Sequence, residues 1–430
     1  LGSRMLDYGH FETEMHLRYP DHNLFIRNIC DDGNTPSFRP HSGRSNQLGF
    51  PGGENYHQVY DDGNSANGKG HFETDEQWLE RLKIDTVIAF FGFSESFLGE
   101  AGTDIYRKEL DAFIKHTISK KYDGESNVQL ALISPTAYQN ITADLDVPNG
   151  IKENKNLSVY AQIMEDVAEK NGVLFVDAYT ASLKWYGSTS EHLTKDGALL
   201  NDAGYRKFSP FIIDGLYGKT DAIEETHRKL VHDAVVEKNW CWTNDFKIPN
   251  GVHVFGGRYK PYGPMNYPDE LKKIREMTLL RDQAIWSAVK GEKTDLASLD
   301  AKTHVLRDVR TNYKPSTKNG SIEMLEGETA ASTLKVPKGY KIEQWATETE
   351  FPDLANPIQM SFDNQGRLWV AVTPTYPHYR PGDPKPNDKL LILEDTNNDG
   401  KADKQTVWAD GLHLPIGFEF APEGVYLSQG

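Results

Sequence analysis

Cysteine is almost absent: Cys30 and Cys241 are the only two in a chain of 430 residues. Two cannot build a disulfide framework, and their separation lacks the close pairing of a structural zinc site, so the reading is two buried free thiols. Long apolar runs are missing too. No stretch reaches the roughly 18 apolar residues of a membrane-spanning helix. Basic charge is in deficit, with 47 Lys and Arg against 63 Asp and Glu and a formal net charge of −16. A surface that gathers polyanions needs Lys and Arg to replace condensed counterions, so nucleic acid is not an expected partner. Neither an initiator methionine nor a charged-then-apolar leader precedes Leu1, and the stretch from Gly424 to Gly430 reads as a strand without a cap. The expectation is a piece of a longer chain that lacks both ends.

What is present suffices for ordinary cores. Hydrophobic residues make up 38% and aromatics 11%, and 430 residues leave room for two or three domains. Short β-branched or aromatic runs at 24–29, 85–93, 128–134 and 173–178 alternate with helical patterns near 3–18, 104–121, 155–171 and 202–216. Such alternation predicts a parallel sheet covered on both faces by helices, a three-layer α/β/α (flavodoxin-like) domain over residues 1–218. Ligands of such sheets bind at the carboxyl ends of the strands, which singles out the loops 30–36, 92–102, 135–150 and 178–200.

Residues 219–335 read as a helical connector and linker. Charged helices near 221–239 and 268–290 flank an aromatic segment with Trp240, Trp242, Phe246, Phe255, Tyr259, Tyr262 and Tyr267, whose prolines and glycines speak against a continuous helix. That segment is either a sugar platform or packing for a neighbouring domain. Residues 291–335, rich in Lys, Thr, Ser and Glu, read as a linker.

Residues 336–430 turn to β signals and repeat. Pro357-Ile358-Gln359-Met360-Ser361-Phe362, followed by Gly366, recurs as Pro415-Ile416-Gly417-Phe418-Glu419-Phe420, followed by Gly424, each match 58 residues on. Strand-turn-strand units at a fixed period are how propeller blades appear in sequence, so an incomplete all-β propeller is expected. Between the copies lies Asp395-Thr396-Asn397-Asn398-Asp399-Gly400-Lys401-Ala402-Asp403. Oxygen donors at Asp395, Asn397, Asp399 and Asp403, with the Lys401 carbonyl and a turn glycine, suit calcium, although the bidentate glutamate of an EF-hand is absent and a metal-free polar hairpin has the same pattern.

Four blocks carry a family resemblance. Leu1-Gly2-Ser3-Arg4-Met5 with Gly9-His10-Phe11-Glu12, the block from Arg27 to Thr35, the block from Phe90 to Gly102 with Gly92 and Ser94, and the block from Leu193 to Tyr205 with Asp196, Gly197 and Leu199 resemble SGNH (GDSL-like) hydrolase domains. These are the domains of multidomain haem-binding-type proteins of Planctomycetes and related bacteria. The resemblance continues through Val254-Phe255-Gly256-Gly257-Arg258 and Arg281-Asp282-Gln283-Ala284-Ile285-Trp286 into Gly366-Arg367-Leu368-Trp369-Val370. It implies a propeller of the membrane-bound-dehydrogenase type, a nucleophile just before Leu1, an oxyanion glycine at Gly33, a second oxyanion donor at position 94 and an Asp-x-x-His at 196–199. It also implies a periplasmic or extracellular location, acylated carbohydrate as substrate class, and further blades and domains of the same chain as partners. The family's haem-binding Cys-x-x-Cys-His is absent from this sequence.

Two positions depart from the family. Ser94 replaces an asparagine, and its shorter hydroxyl does not reach the same point; losing such a donor costs roughly two to three orders of magnitude in rate. Leu199 replaces the histidine, and leucine cannot accept a proton. His192, seven residues upstream in the same loop, is either a surface histidine or a substitute base that swings toward the site, and Asp196 without its partner is equally a turn residue. The expected function is therefore an ester-hydrolase-type domain of weak or no activity. Two alternatives stay open: an active carbohydrate esterase with a non-standard base, and a sugar oxidoreductase whose chemistry lies in the propeller and further domains.

Overall fold

A computed structural model describes residues 1–37, 75–220, 225–247, 259–308, 325, 327–376 and 379–429. The block Val254 to Arg258 singled out above lies outside them, as do the side chains of Tyr259 and Tyr262. By packing the chain forms two units, Leu1–Ile248 with Phe255–Tyr259 and Leu271–Val305, and Pro249–Val254 with Lys260–Glu270 and Leu306–Gly430.

The first unit carries a parallel sheet in the order β1 (Thr86–Phe90), β2 (Gln129–Ile133), β3 (Leu174–Val176). Val87 pairs with Leu130 and Ile88 with Ala131, and Leu132 pairs with Phe175. Because successive strand residues face opposite sides, the core divides in two. Ile133, Val176, Ile88 and Phe90 pack with α1 (Met5–Tyr8), α2 (His10–Arg18) and α7 (Asp202–Tyr217). Ala89, Leu130 and Leu132 pack with α4 (Thr103–Ile118) and α5 (Ile151–Asn171) on the other side. The remaining helices of this region are α3 (Asp75–Leu82) and α6 (Ala178–Gly187). The expected three layers are present.

Two local expectations differ. The helix read over 3–18 breaks at Gly9, which adopts φ +64 and separates α1 from α2; a Cβ there would lie 3.1 Å from Val236 and 3.2 Å from Val235. The run 24–29, read as a strand, forms no ladder among the described residues. Its carbonyls are taken by side chains instead: Trp286 Nε1 donates to Leu24 O, Lys238 Nζ to Ile26 O and Trp242 Nε1 to Asn28 O. Those donors come from α8 (Arg228–Phe246) and α9 (Tyr259–Val289).

The sequence places these two helices in a connector, whereas most of their residues pack into the first unit. Val231 and Val235 meet Ile285 and Ala288, and Trp242 and Phe246 meet Leu6 and Trp78. Two ion pairs are buried with them. Lys238 Nζ lies 2.7 Å from Glu12 Oε2, and Arg27 pairs with Asp282. Trp240, Trp242 and Phe246 thus belong to a helix, and α9 runs through Pro261, Pro264 and Pro268 although prolines speak against a continuous helix. Pro261 falls in the first turn, where its missing N–H has no helical partner in any case; the later two each give up one helical hydrogen bond. Cys30 and Cys241 are free thiols, and burial pushes the Cys30 thiol up to about 11.

The second unit holds an antiparallel meander, β4 (Pro357–Phe362), β5 (Leu368–Val372), β6 (Asp388–Glu394) and β7 (Lys404–Leu412), and a hairpin of β8 (Pro415–Ala421) and β9 (Gly424–Gln429). One face of the meander buries Leu368, Val370, Val372, Leu391 and Leu393 against Trp345, Phe351 and Leu354. The other buries Trp369, Ala371, Leu390 and Ile392 against Phe418 and Phe420 of the hairpin. Gln359 spans the two sheets: Phe418 N–H donates to its Oε1 at 2.7 Å and its Nε2 donates to Phe418 O at 2.9 Å. A four-stranded antiparallel sheet with a hairpin stacked on it is what the described residues form; a closed propeller is not.

Candidate functional site

The loops leaving the carboxyl ends of β1 and β2 are fixed by unusual backbone conformations and buried polar groups. After β1, Gly92 adopts φ +95, and a Cβ there would press on the Tyr106 hydroxyl at 3.1 Å and on Pro135 at 3.2 Å. Its N–H donates to the buried carboxylate of Glu95 at 2.9 Å. Burial, with Glu95 nearby, pushes the Tyr106 phenol well above its ordinary value. Ser94 is partly buried, in helical conformation (φ −62, ψ −38), where it opens the 3₁₀ helix Glu95–Gly102. That helix is tied to α5, since Asn156 Nδ2 donates to Ser96 O and Tyr160 Oη to Gly99 O.

The loop after β2 grips the loop that holds Asp196 and Leu199. Tyr138 Oη donates to Asp196 O at 2.7 Å. Gln139 N–H donates to Gly197 O at 2.8 Å, and Gln139 Oε1 accepts from Leu193 N–H, Thr194 N–H and the Thr194 hydroxyl. Gln139 Nε2 donates to Glu191 O, and Asn201 Nδ2 to His192 O. Backbone carbonyls of the loop are thus occupied one after another, and it is pre-organised. Gly197, at φ +89, lies so close to the Tyr138 ring that a Cβ would stand 2.1 Å from it. Gly197→Ala should therefore cost about 1–3 kcal/mol of strain, visible as a lower melting temperature and faster amide exchange over 193–199.

Within this loop the Asp196 carboxylate serves the backbone. Its Oδ1 accepts from Ala198 N–H at 3.0 Å and from Leu199 N–H at 2.7 Å. Leu199, partly buried, occupies the end of this turn, and its carbonyl accepts from Lys195 N–H. His192 points elsewhere: its Nε2 pairs at 2.9 Å with Asp144, a well-exposed carboxylate. Gly33, at φ +82, lies in the loop after residue 30. Its neighbour Asp32 accepts from the Ser3 hydroxyl at 2.6 Å, and Asn28 Nδ2 donates to Gly2 O. The described bonds therefore join Asp196 and Leu199 to the β2 loop, tie the Ser94 loop to the same α5 whose Asn154 holds Tyr138, and link the Gly33 loop to the first residues of the chain.

Sequence does not single out Tyr138 or Gln139. The Tyr138-Gln139 pair just after a strand end and a proline is the available signal, and nothing in it names the loop more than 50 residues on that it clamps.

No group of three or more His, Cys, Asp or Glu side chains is placed to hold a metal ion among the described residues. In the loop from Asp395 to Asp403 the carboxylates turn onto the loop itself. Asp395 accepts from Asp399 N–H and Gly400 N–H, Asp399 from Lys401 N–H, and Asp403 from Thr396 N–H and hydroxyl. Those bonds hold the Asp403 carboxyl below its ordinary value.

Residues 279–430 match a family described as a domain of unknown function, DUF7133. Nothing among curated proteins matches the chain. Among solved structures there is a weak likeness to LAE5, an alpha/beta hydrolase enzyme from the metagenome of Lake Arreo, Spain, at 18% identity and TM-score 0.26, covering 33% of this chain and 63% of that one. A second is to Axe2, an acetylxylan esterase from Geobacillus stearothermophilus, at 16% identity and TM-score 0.26, over 33% of this chain and 63% of that one. The chain thus spans less than two thirds of the length of either enzyme. Among the described residues no helix is long and apolar enough to cross a membrane.

Proposed function

We propose that the first unit is an ester-hydrolase-type domain of the SGNH kind whose catalytic centre has lost its base, with acylated carbohydrate as the substrate class that its frame is built to meet. In this reading Gly33 and Ser94 stand at the oxyanion positions, and Asp196 and Leu199 where the orienting carboxylate and the base belong. The observation that carries it is the turn at 196–199. Asp196 spends Oδ1 on two backbone N–H groups and thereby presents residue 199, and residue 199 is a leucine. A base within hydrogen-bond reach of the nucleophile is what such chemistry requires. In this reading the domain hydrolyses such esters slowly or not at all. A fluorophosphonate probe applied to the full gene product tests this: no labelling is expected, and stoichiometric labelling would overturn it.

We further propose that the second unit is a run of propeller blades. The 58-residue repeat and the stacking of β8 and β9 on the meander support that reading. Calcium at Asp395, Asn397, Asp399, Lys401 and Asp403 rests on the spacing of the oxygens alone, and binding would have to turn Asp403 off Thr396. A melting temperature that rises with millimolar calcium, and no longer does so in Asp395→Asn, is the outcome that would carry it; an unmoved melting curve would discard it. Export to the periplasm or beyond rests on the resemblance and is tested by cell fractionation.

A further inference from the structure

Where α1, α2, α7 and α8 meet, two imidazoles lie ring on ring. His10, first residue of α2, and His232, on α8, have centroids 5.0 Å apart and planes 28° from parallel. Each is fixed to a third element. His10 Nε2 lies 2.8 Å from Asp202 Oδ1, at the start of α7. His232 Nε2 lies 2.8 Å from the carbonyl oxygen of Tyr8, at the end of α1. A carbonyl only accepts, so this nitrogen of His232 carries a proton. The Tyr8 ring in turn stacks on Tyr205 of α7 at 4.9 Å. The absent side chain of Gly9 lets α8 approach this junction.

Asp202 is the carboxylate in contact, and it is shared with Arg206, whose Nε lies 2.7 Å from Oδ2. Lys195 stands 5.7 Å from the centre of the Tyr8 ring. On α8, Lys229 and Asp233 pair with each other. A charged His10 would lie 5.0 Å from the His232 ring and beside Arg206, which already shares Asp202.

We propose that the stacked pair His10 and His232 is an acid-released latch: with His10 neutral the rings hold α8 to α1, α2 and α7, and a proton taken up by His10 sets a charged ring against His232 and loosens α8. Burial pushes His10 below its ordinary value, against the pull of Asp202, so the latch is closed at neutral pH. The sign follows from linkage. A histidine whose folded pKa is depressed binds its proton more readily in the unfolded chain, so its contribution is present above the ordinary range, about 6.5, and is lost as pH falls below it. The loosening reaches the candidate site, because Asp202 directly follows Asn201, which closes the 191–200 loop.

The test compares the unchanged chain with His10→Phe, which keeps a ring for the stack and removes one charge. Melting temperature and amide exchange of the 228–246 peptides are followed from about pH 7.5 to about pH 5. After correction for intrinsic exchange, α8 in the unchanged chain should exchange about five-fold faster at the acid end. In His10→Phe both that acceleration and the acid loss of melting temperature should fall by half or more. If His10→Phe does not fold, His232→Gln takes its place, since its amide still donates to Tyr8 O. Parallel pH curves for the unchanged chain and the folded variant would overturn the latch, and would leave the hydrolase reading untouched, since that reading is probed by labelling.

Discussion

The unchanged protein should hydrolyse p-nitrophenyl acetate and acetylated xylan about 10⁴-fold or more slowly than the same gene product carrying Leu199→His together with Ser94→Asn. Two deficits act on one step. Without a base at 199 nothing takes the nucleophile's proton, and in Ser-His systems losing the base alone removes nearly all of the triad's contribution. With serine at 94 the developing oxyanion lacks a donor worth roughly 10²–10³ in rate. Residues that act as a unit lose their effects together, so the factors do not multiply. The loop is the reason to expect a large gain from so few substitutions. Tyr138, Gln139 and Asn201 already hold it, so a histidine at 199 would enter a frame whose backbone is settled. Robust turnover by the unchanged protein, abolished in His192→Ala, would mean that the exposed histidine paired with Asp144 is the base after all.

Lys238→Met should destabilise the first unit by about 3–5 kcal/mol, because it leaves Glu12 buried without its cation. Both side chains are almost fully buried, at 1% and 7% exposure. Lys238 also donates to Ile26 O and Asn239 Oδ1, so the loss reaches the 24–29 segment. In the unchanged protein burial pushes Glu12 up, but Lys238 and His16 outweigh it and hold the carboxyl below its ordinary value. Its contribution is therefore present above the ordinary glutamate range and is lost as pH falls through the folded value. In Lys238→Met the sign reverses. Glu12 would be raised, so the deficit in urea melts should shrink toward about pH 4 and grow as pH rises. Adding Glu12→Leu should return much of the loss at neutral pH. A deficit that stays constant with pH would show that packing, not the orphaned carboxylate, sets it.

The sheet and its helices were legible because the signal is local. The runs at 85–93, 128–134 and 173–178 are short, apolar and bounded, and they became β1, β2 and β3. The run at 24–29 has the same composition, yet its carbonyls are taken by indole and ammonium donors more than 200 residues away, and no local pattern announces such partners. The prolines of α9 mislead for a related reason, since a helix packed along most of its length tolerates two missing bonds in its first third. Gly33, Gly197 and Asp196 were readable because glycine at positive φ and aspartate at a turn are local chemistry. Which loops clamp which was not, since the grip of Gln139 on 191–197 depends on the sheet that brings them together.

The side-chain roof over Leu24, Ile26 and Asn28 also bears on how this protein behaves at high concentration. An extended, apolar segment with a free row of carbonyls is a template on which a stray strand from another molecule can grow. Two indoles and a buried ammonium occupy that row on alternate residues, the spacing at which an incoming strand would have to donate. Self-association along this segment is thereby denied its hydrogen bonds, and loosening of α8 would expose the Ile26 and Asn28 carbonyls while Trp286 of α9 still covers Leu24.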